Sequence, residues 1–120
     1  MADLKWKRYT EGSAVVLALS GPISMGSGDK TLRDLIQDLL AEGKSRVVID
    51  LAAVPGMDST GLGELVAAYT SARNRGSVLK LANLTRKVKD LLVITKLTSV
   101  FECHDSVAEA AASFVGEAAP

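Results

Sequence analysis

Three polar side chains in a row, Asp58, Ser59 and Thr60, stand between a strand-forming run, VVIDLAAVPG, and the apolar rungs of a helix. Side chains of these types can do two things there. Their oxygens can cap the helix by accepting hydrogen bonds from the N–H groups that a first helical turn leaves unpaired. Ser59 can also carry chemistry, as a nucleophile or as the acceptor of a phosphoryl group. Such a group brings about −1.5 to −2 charges. The partial positive charge of the helix start would stabilise part of it, and Asp58 would repel it. Local preference alone puts the cap ahead.

Other chemistries fit the same residues less well. A hydrolase elbow needs G-x-S-x-G, and Met57 stands where the first glycine belongs. Gly61-Leu62-Gly63 lacks the third glycine of a dinucleotide fingerprint and the GK[ST] of a phosphate loop. His104, the sole histidine, is the only imidazole available for a triad with Ser59, and beside Ser106 it reads far better as a surface or capping residue. One histidine and one cysteine do not make a structural zinc set. No metal or cofactor is therefore expected. Cys103, alone in the chain, cannot form an intrachain disulfide, which suits a reducing compartment, and its expected place is the core.

The elements that would position Ser59 follow from periodicity. Residues 4–10 and 14–20 read as two strands joined at Glu11-Gly12-Ser13, the second apolar on both faces. A glycine-rich loop, 21–30, leads to a helix over 29–42, in which Leu32, Leu35, Ile36, Leu39 and Leu40 fall on one face and Gly43 follows the end. Residues 46–52 read as a buried strand. A second helix begins near Thr60 or Gly61 and runs to Arg75, with Leu62, Leu65, Val66, Tyr69 and Ala72 as its stripe. A strand over 77–83 and a third helix from Thr85 come next. Residues 98–103, TSVFEC, read as a short last strand. Ser106 and Glu109 form a capping box for a fourth helix with Val107, Ala110, Ala111 and Phe114 inward. A small-residue tail, 116–120, ends the chain. Strands alternating with helices after an opening hairpin predict one α/β domain over residues 1–120, with a mixed sheet of about 4–5 strands and about 4 helices.

Composition narrows the function. Of 120 residues, 48% are apolar, enough for a core, while 14 basic and 14 acidic residues cancel. A neutral total gives no general pull toward nucleic acid or anionic membrane. Between Arg73 and Lys96, however, seven basic residues meet one acid, Asp90, so this segment is either a solvated face or a surface for an acidic partner. The N-terminal segment lacks the apolar region of a secretory signal, and no stretch is long and apolar enough to cross a bilayer. A cytoplasmic protein is expected.

MDSTGLGELVAAY resembles the signature of the STAS-domain anti-sigma-factor antagonists of bacteria. The likeness extends through VVIDLAAVPGMDSTGLG, through LKLANLTRKVKDLLVITKLTSVFECHDSVAEAAASF, and back to YTEGSAVVLALSG, about residues 4–115 in all. It implies a STAS fold and a protein that is a substrate, not an enzyme. The unphosphorylated antagonist would bind an anti-sigma factor that is also a serine protein kinase, and so free a sigma factor. Phosphorylation of the serine after the motif Asp, here Ser59, would break the complex, and a PP2C-type phosphatase would restore it. The resemblance implies a monomer whose docking surface gathers Asp58, Ser59, Thr60, Gly61 and Leu62 with Ile23, Ser24 and Met25, and the basic stretch Arg86–Lys89 as a weaker contributor. Many members carry G-E-L-D after the second strand, and this chain has Gly21-Pro22-Ile23-Ser24, so its partner choice is expected to differ. A STAS subunit of a stressosome-like or lipid-transport complex, and a nucleotide-binding STAS module, are the alternatives.

Overall fold

A computed structural model describes residues 3–114; the small-residue tail, 116–120, lies outside them. Five strands form one mixed sheet in the order β1-β2-β3-β4-β5. Strand β1 (Lys5–Glu11) pairs antiparallel with β2 (Ala14–Ser20) across a turn in which Gly12 takes φ +58°. Strands β3 (Arg46–Ala53), β4 (Val78–Ala82) and β5 (Cys103–His104) then add in parallel, each reached by a helical crossover. The helices are α1 (Gly28–Ala41), α2 (Ser59–Asn74), α3 (Arg86–Ile94) and α4 (Val107–Ala112). This is the α/β architecture expected from the alternation of patterns.

The period-2 alternation of the strands separates two cores. Leu17, Leu19, Val47, Ile49, Leu51, Leu79 and Leu81 face α1, α2 and α3 and meet Leu32, Ile36, Leu65, Val88 and Leu92. Crossovers of one hand, stepping in one direction along the sheet, put all three helices on this face. The opposite face is covered by α4, whose Ala110 and Ala111, with Phe114 just beyond, pack on Ala14, Val16, Val48 and Ala82. One half of the expected capping box starts α4: Ser106 is the N-cap, and the Glu109 N–H donates to its Oγ at 3.0 Å.

Three expectations change, and the exposure of β1 adds a feature the sequence left open. The strand expected over 98–103 is only Cys103–His104. Lys96 at φ +60° turns the chain, Val100 closes a further turn on the Leu97 carbonyl, and Phe101 drops into the core edge-on to Tyr69 at 5.4 Å. Cys103 is exposed, not a core residue. Strand β1 is exposed on all seven residues, Trp6 at 52%, because it forms the edge of the sheet. Within the basic segment, Lys80 does not belong to any solvated face. It is 1% exposed, with its ammonium 2.7 Å from Ser113 Oγ, 2.9 Å from Glu102 Oε2 and 4.2 Å from the centre of the Phe114 ring.

Candidate functional site

The site forms where β3 leaves the sheet. Val54 is buried at the end of the strand, and Pro55, Gly56 and Met57 carry the chain over to α2. The loop that follows β2 lies alongside. Gly21 N–H donates to the Ala53 carbonyl at 2.9 Å, Ile23 N–H to Gly56 at 3.3 Å, and Asp58 N–H to Ile23 at 3.3 Å. Ile23 and Met57 form a parallel bridge. The two loops thus continue the β2–β3 ladder in miniature and arrive together at the helix start.

Asp58 is the N-cap of α2. Its Oδ1 accepts the Gly61 N–H at 2.8 Å, as a capping aspartate should. Its Oδ2 accepts the Met25 N–H at 2.9 Å, which ties the neighbouring loop to the helix. These two donors, Met25 first and then Gly61, hold the Asp58 carboxyl below its ordinary value of 3.8. Ser59 is the first residue of the helix and is exposed. Since Asp58 makes the cap, the Ser59 hydroxyl is not spent on it. Thr60 is half-buried.

The eight residues expected at the docking surface do come together, and they divide into a floor and a face. Ile23 (0% exposed), Leu62 (8%) and Gly61 are buried and form the floor. A Cβ on Gly61 would stand 1.9 Å from the Ile23 carbonyl oxygen, so glycine is required by the close approach of the two segments. Asp58, Ser59 and Met25 are on the face, Met25 at 72% exposure, with Ser24 and Thr60 half-buried between.

Two supports of this site escape a reading of the sequence. Asp29, buried in the first turn of α1, accepts the Gly26 N–H at 3.1 Å and donates its own N–H to the Ser24 carbonyl at 3.1 Å, so it fixes the loop from the other side. Gly28 packs so close to Pro22 that a Cβ would lie 2.7 Å from the Pro22 carbonyl oxygen. The spacing D-K-T-L before an apolar run could have signalled a helix-start acid; nothing local signals the Gly28 contact. Across the helix pair, Arg33 Nε donates to Glu64 Oε1 at 3.0 Å and locks α1 to α2.

His104 does not serve Ser59. Its Nε2 lies 2.6 Å from Glu102 Oε2, and among the described residues no hydrogen bond joins it to the serine. Arg86, Lys87 and Lys89 are exposed on α3. Among the described residues no group of three His, Cys, Asp or Glu is arranged to hold a metal ion, and no helix is long and apolar enough to cross a membrane.

Comparison with known proteins agrees with this geometry. An anti-sigma-B factor antagonist of Listeria monocytogenes is 46% identical over 54 residues, 45% of this chain and 47% of that protein. The chain thus spans about half the length of the curated relative it matches. Among solved structures, an anti-sigma factor antagonist from Mycobacterium paratuberculosis superposes with a TM-score of 0.81 at 22% identity, covering 92% of this chain and 93% of that one. The Bacillus cell fate determinant SpoIIAA in its phosphorylated form superposes at 0.70 and 15% identity, covering 91% and 98%. At these identities the two structures speak for the fold. The STAS domain family itself matches residues 5–110, and the chain belongs to that family.

Proposed function

We propose that this protein is an anti-sigma factor antagonist whose unmodified form binds an anti-sigma factor, and that a phosphoryl group on Ser59 ends the binding. The observation that carries the reading is the division of labour at the start of α2. Asp58 satisfies the cap and the loop, and the adjacent Ser59 hydroxyl remains exposed. A kinase can reach such a hydroxyl without unfolding the helix. The helices and the paired loops beneath it keep the surface in one shape, so the modification acts by charge. A dianion next to Asp58, in a contact that must shed water, costs the complex through repulsion and desolvation. The partner we assign is an anti-sigma factor that is itself a serine protein kinase, with a PP2C-type phosphatase reversing the step. The contacts we assign are Asp58, Ser59 and Thr60 with Ser24 and the exposed Met25, held up by Ile23, Gly61 and Leu62.

The test is phosphorylation by the cognate anti-sigma kinase with Mg-ATP, followed by intact mass. The wild-type chain should gain one phosphoryl group and Ser59→Ala none. Equal uptake by the variant would remove Ser59 from the mechanism.

A further inference from the structure

Away from Ser59, the carboxyl ends of β3, β4 and β5 open into a cavity of about 600 Å³, within the range of small-molecule sites. The start of α3 and the segment before β5 wall it. Leu84, Leu92 and Phe101 give it an apolar lining, Leu92 and Phe101 from the core itself. Polar groups line the rest of it, among them His104, whose Nε2 is already held 2.6 Å from Glu102 Oε2. Lys89 lines it, is exposed, and has no ion-pair partner among the described residues. Asp105 lines it with one opposing charge. Thr85 presents a hydroxyl that already donates to the Val54 carbonyl at 2.9 Å, which leaves it acceptor capacity. Asn83 donates its amide to Asp50 at 3.0 Å. The Cys103 thiol, on an exposed residue, is pushed up, first by desolvation and then by the Glu102 charge, so it is a poor nucleophile.

We infer that this cavity is a second binding site, for a small apolar carboxylic acid whose hydrocarbon part rests on Leu84, Leu92 and Phe101 and whose carboxylate faces Lys89. The Lys89 cation asks for an anion. The Asp105 carboxylate at the same rim repels anionic charge, and among the described residues no second Lys or Arg lines the cavity to offset it, so a monoanionic carboxylate fits better than a phosphate dianion. The apolar lining asks for an aromatic or branched body of modest size. The site is separate from the proposed switch, although its wall residue Thr85 holds the chain at Val54, just before the Ser59 loop.

The test uses the full chain, isotope-labelled and titrated with phenylacetate up to about 10 mM while amide shifts are followed. Saturable shifts confined to residues 83–85, 89–92 and 98–105 are expected. Lys89→Met should weaken phenylacetate about fivefold, and uncharged phenylacetamide should bind the wild type more weakly by a similar factor. Thr98→Trp, which fills the mouth from an exposed position, should abolish the shifts while the chain stays folded. The absence of saturable shifts, their spread beyond this cavity, indifference to Lys89→Met, or tighter binding of phenyl phosphate than of phenylacetate would each overturn the assignment.

Discussion

Asp58 makes a bond that a simple helix cap does not need. Beyond the Gly61 N–H it holds the exposed Met25 in place. The sign of its titration follows. Its folded pKa is depressed, so the anchoring it supplies is complete above the unfolded value and is lost only as pH falls through the folded one. The amide shifts of Met25 and Gly61 should therefore move together on acidification, with a shared midpoint below 3.8. A midpoint at or above 3.8 would mean that the carboxylate does not carry these bonds. At this scale the sequence is informative about type and place: the D-S-T run marks both the cap and the exposed serine. It cannot show which oxygen of Asp58 goes where, because the second partner is 33 residues away.

The two glycines of α2 look alike in the sequence and do different things in the fold. Gly61 faces the Ile23 carbonyl at a distance that excludes a Cβ, and the obstacle is backbone, which cannot step aside cheaply. Gly61→Ala should cost about 3 kcal/mol in urea unfolding. A Cβ on Gly63 would meet nothing within 4 Å, and the residue sits in a helix interior. Gly63→Ala should stabilise by about 0.5–1 kcal/mol. If the two variants unfold at the same midpoint, the loop does not lie on α2 as described. Helical elements are legible because apolar residues recur three and four apart, as in Leu32, Ile36 and Leu39. Short elements are not. The alternation in TSVFEC imitates a strand, but a left-handed Lys96 and two successive turns consume the segment before it can pair. Residue type alone sends Cys103 to the core, and its exposure follows from the shortness of β5 at that edge.

At the scale of the molecule, one sheet separates a face of three helices from a face that, among the described residues, α4 and Phe114 cover. Alternation implies the layers, yet which helix covers which face depends on strand order, and that is a tertiary fact. Lys80 shows the limit most clearly. Its charge suggests a surface, and the register of β4 turns it under α4 instead. Its ion pair with Glu102 is half open to water, so replacing the ammonium with a thioether of similar length removes a desolvated charge and keeps the packing. Lys80→Met should change stability by less than about 1 kcal/mol, whereas Lys80→Ala should lose about 3 kcal/mol to the space it leaves. A large loss in both would make the polar contacts of the ammonium with Ser113 and Glu102, and not the packing, the source of its contribution. The proposed function makes the molecule a binding partner, and one titration tests it: the affinity of the proposed partner, an anti-sigma factor, for the unmodified chain against the chain phosphorylated at Ser59. The proposed switch requires the phosphorylated form to bind at least about tenfold more weakly, while its amide spectrum away from residues 21–30 and 56–62 stays unchanged. Equal affinity of the two forms would contradict it.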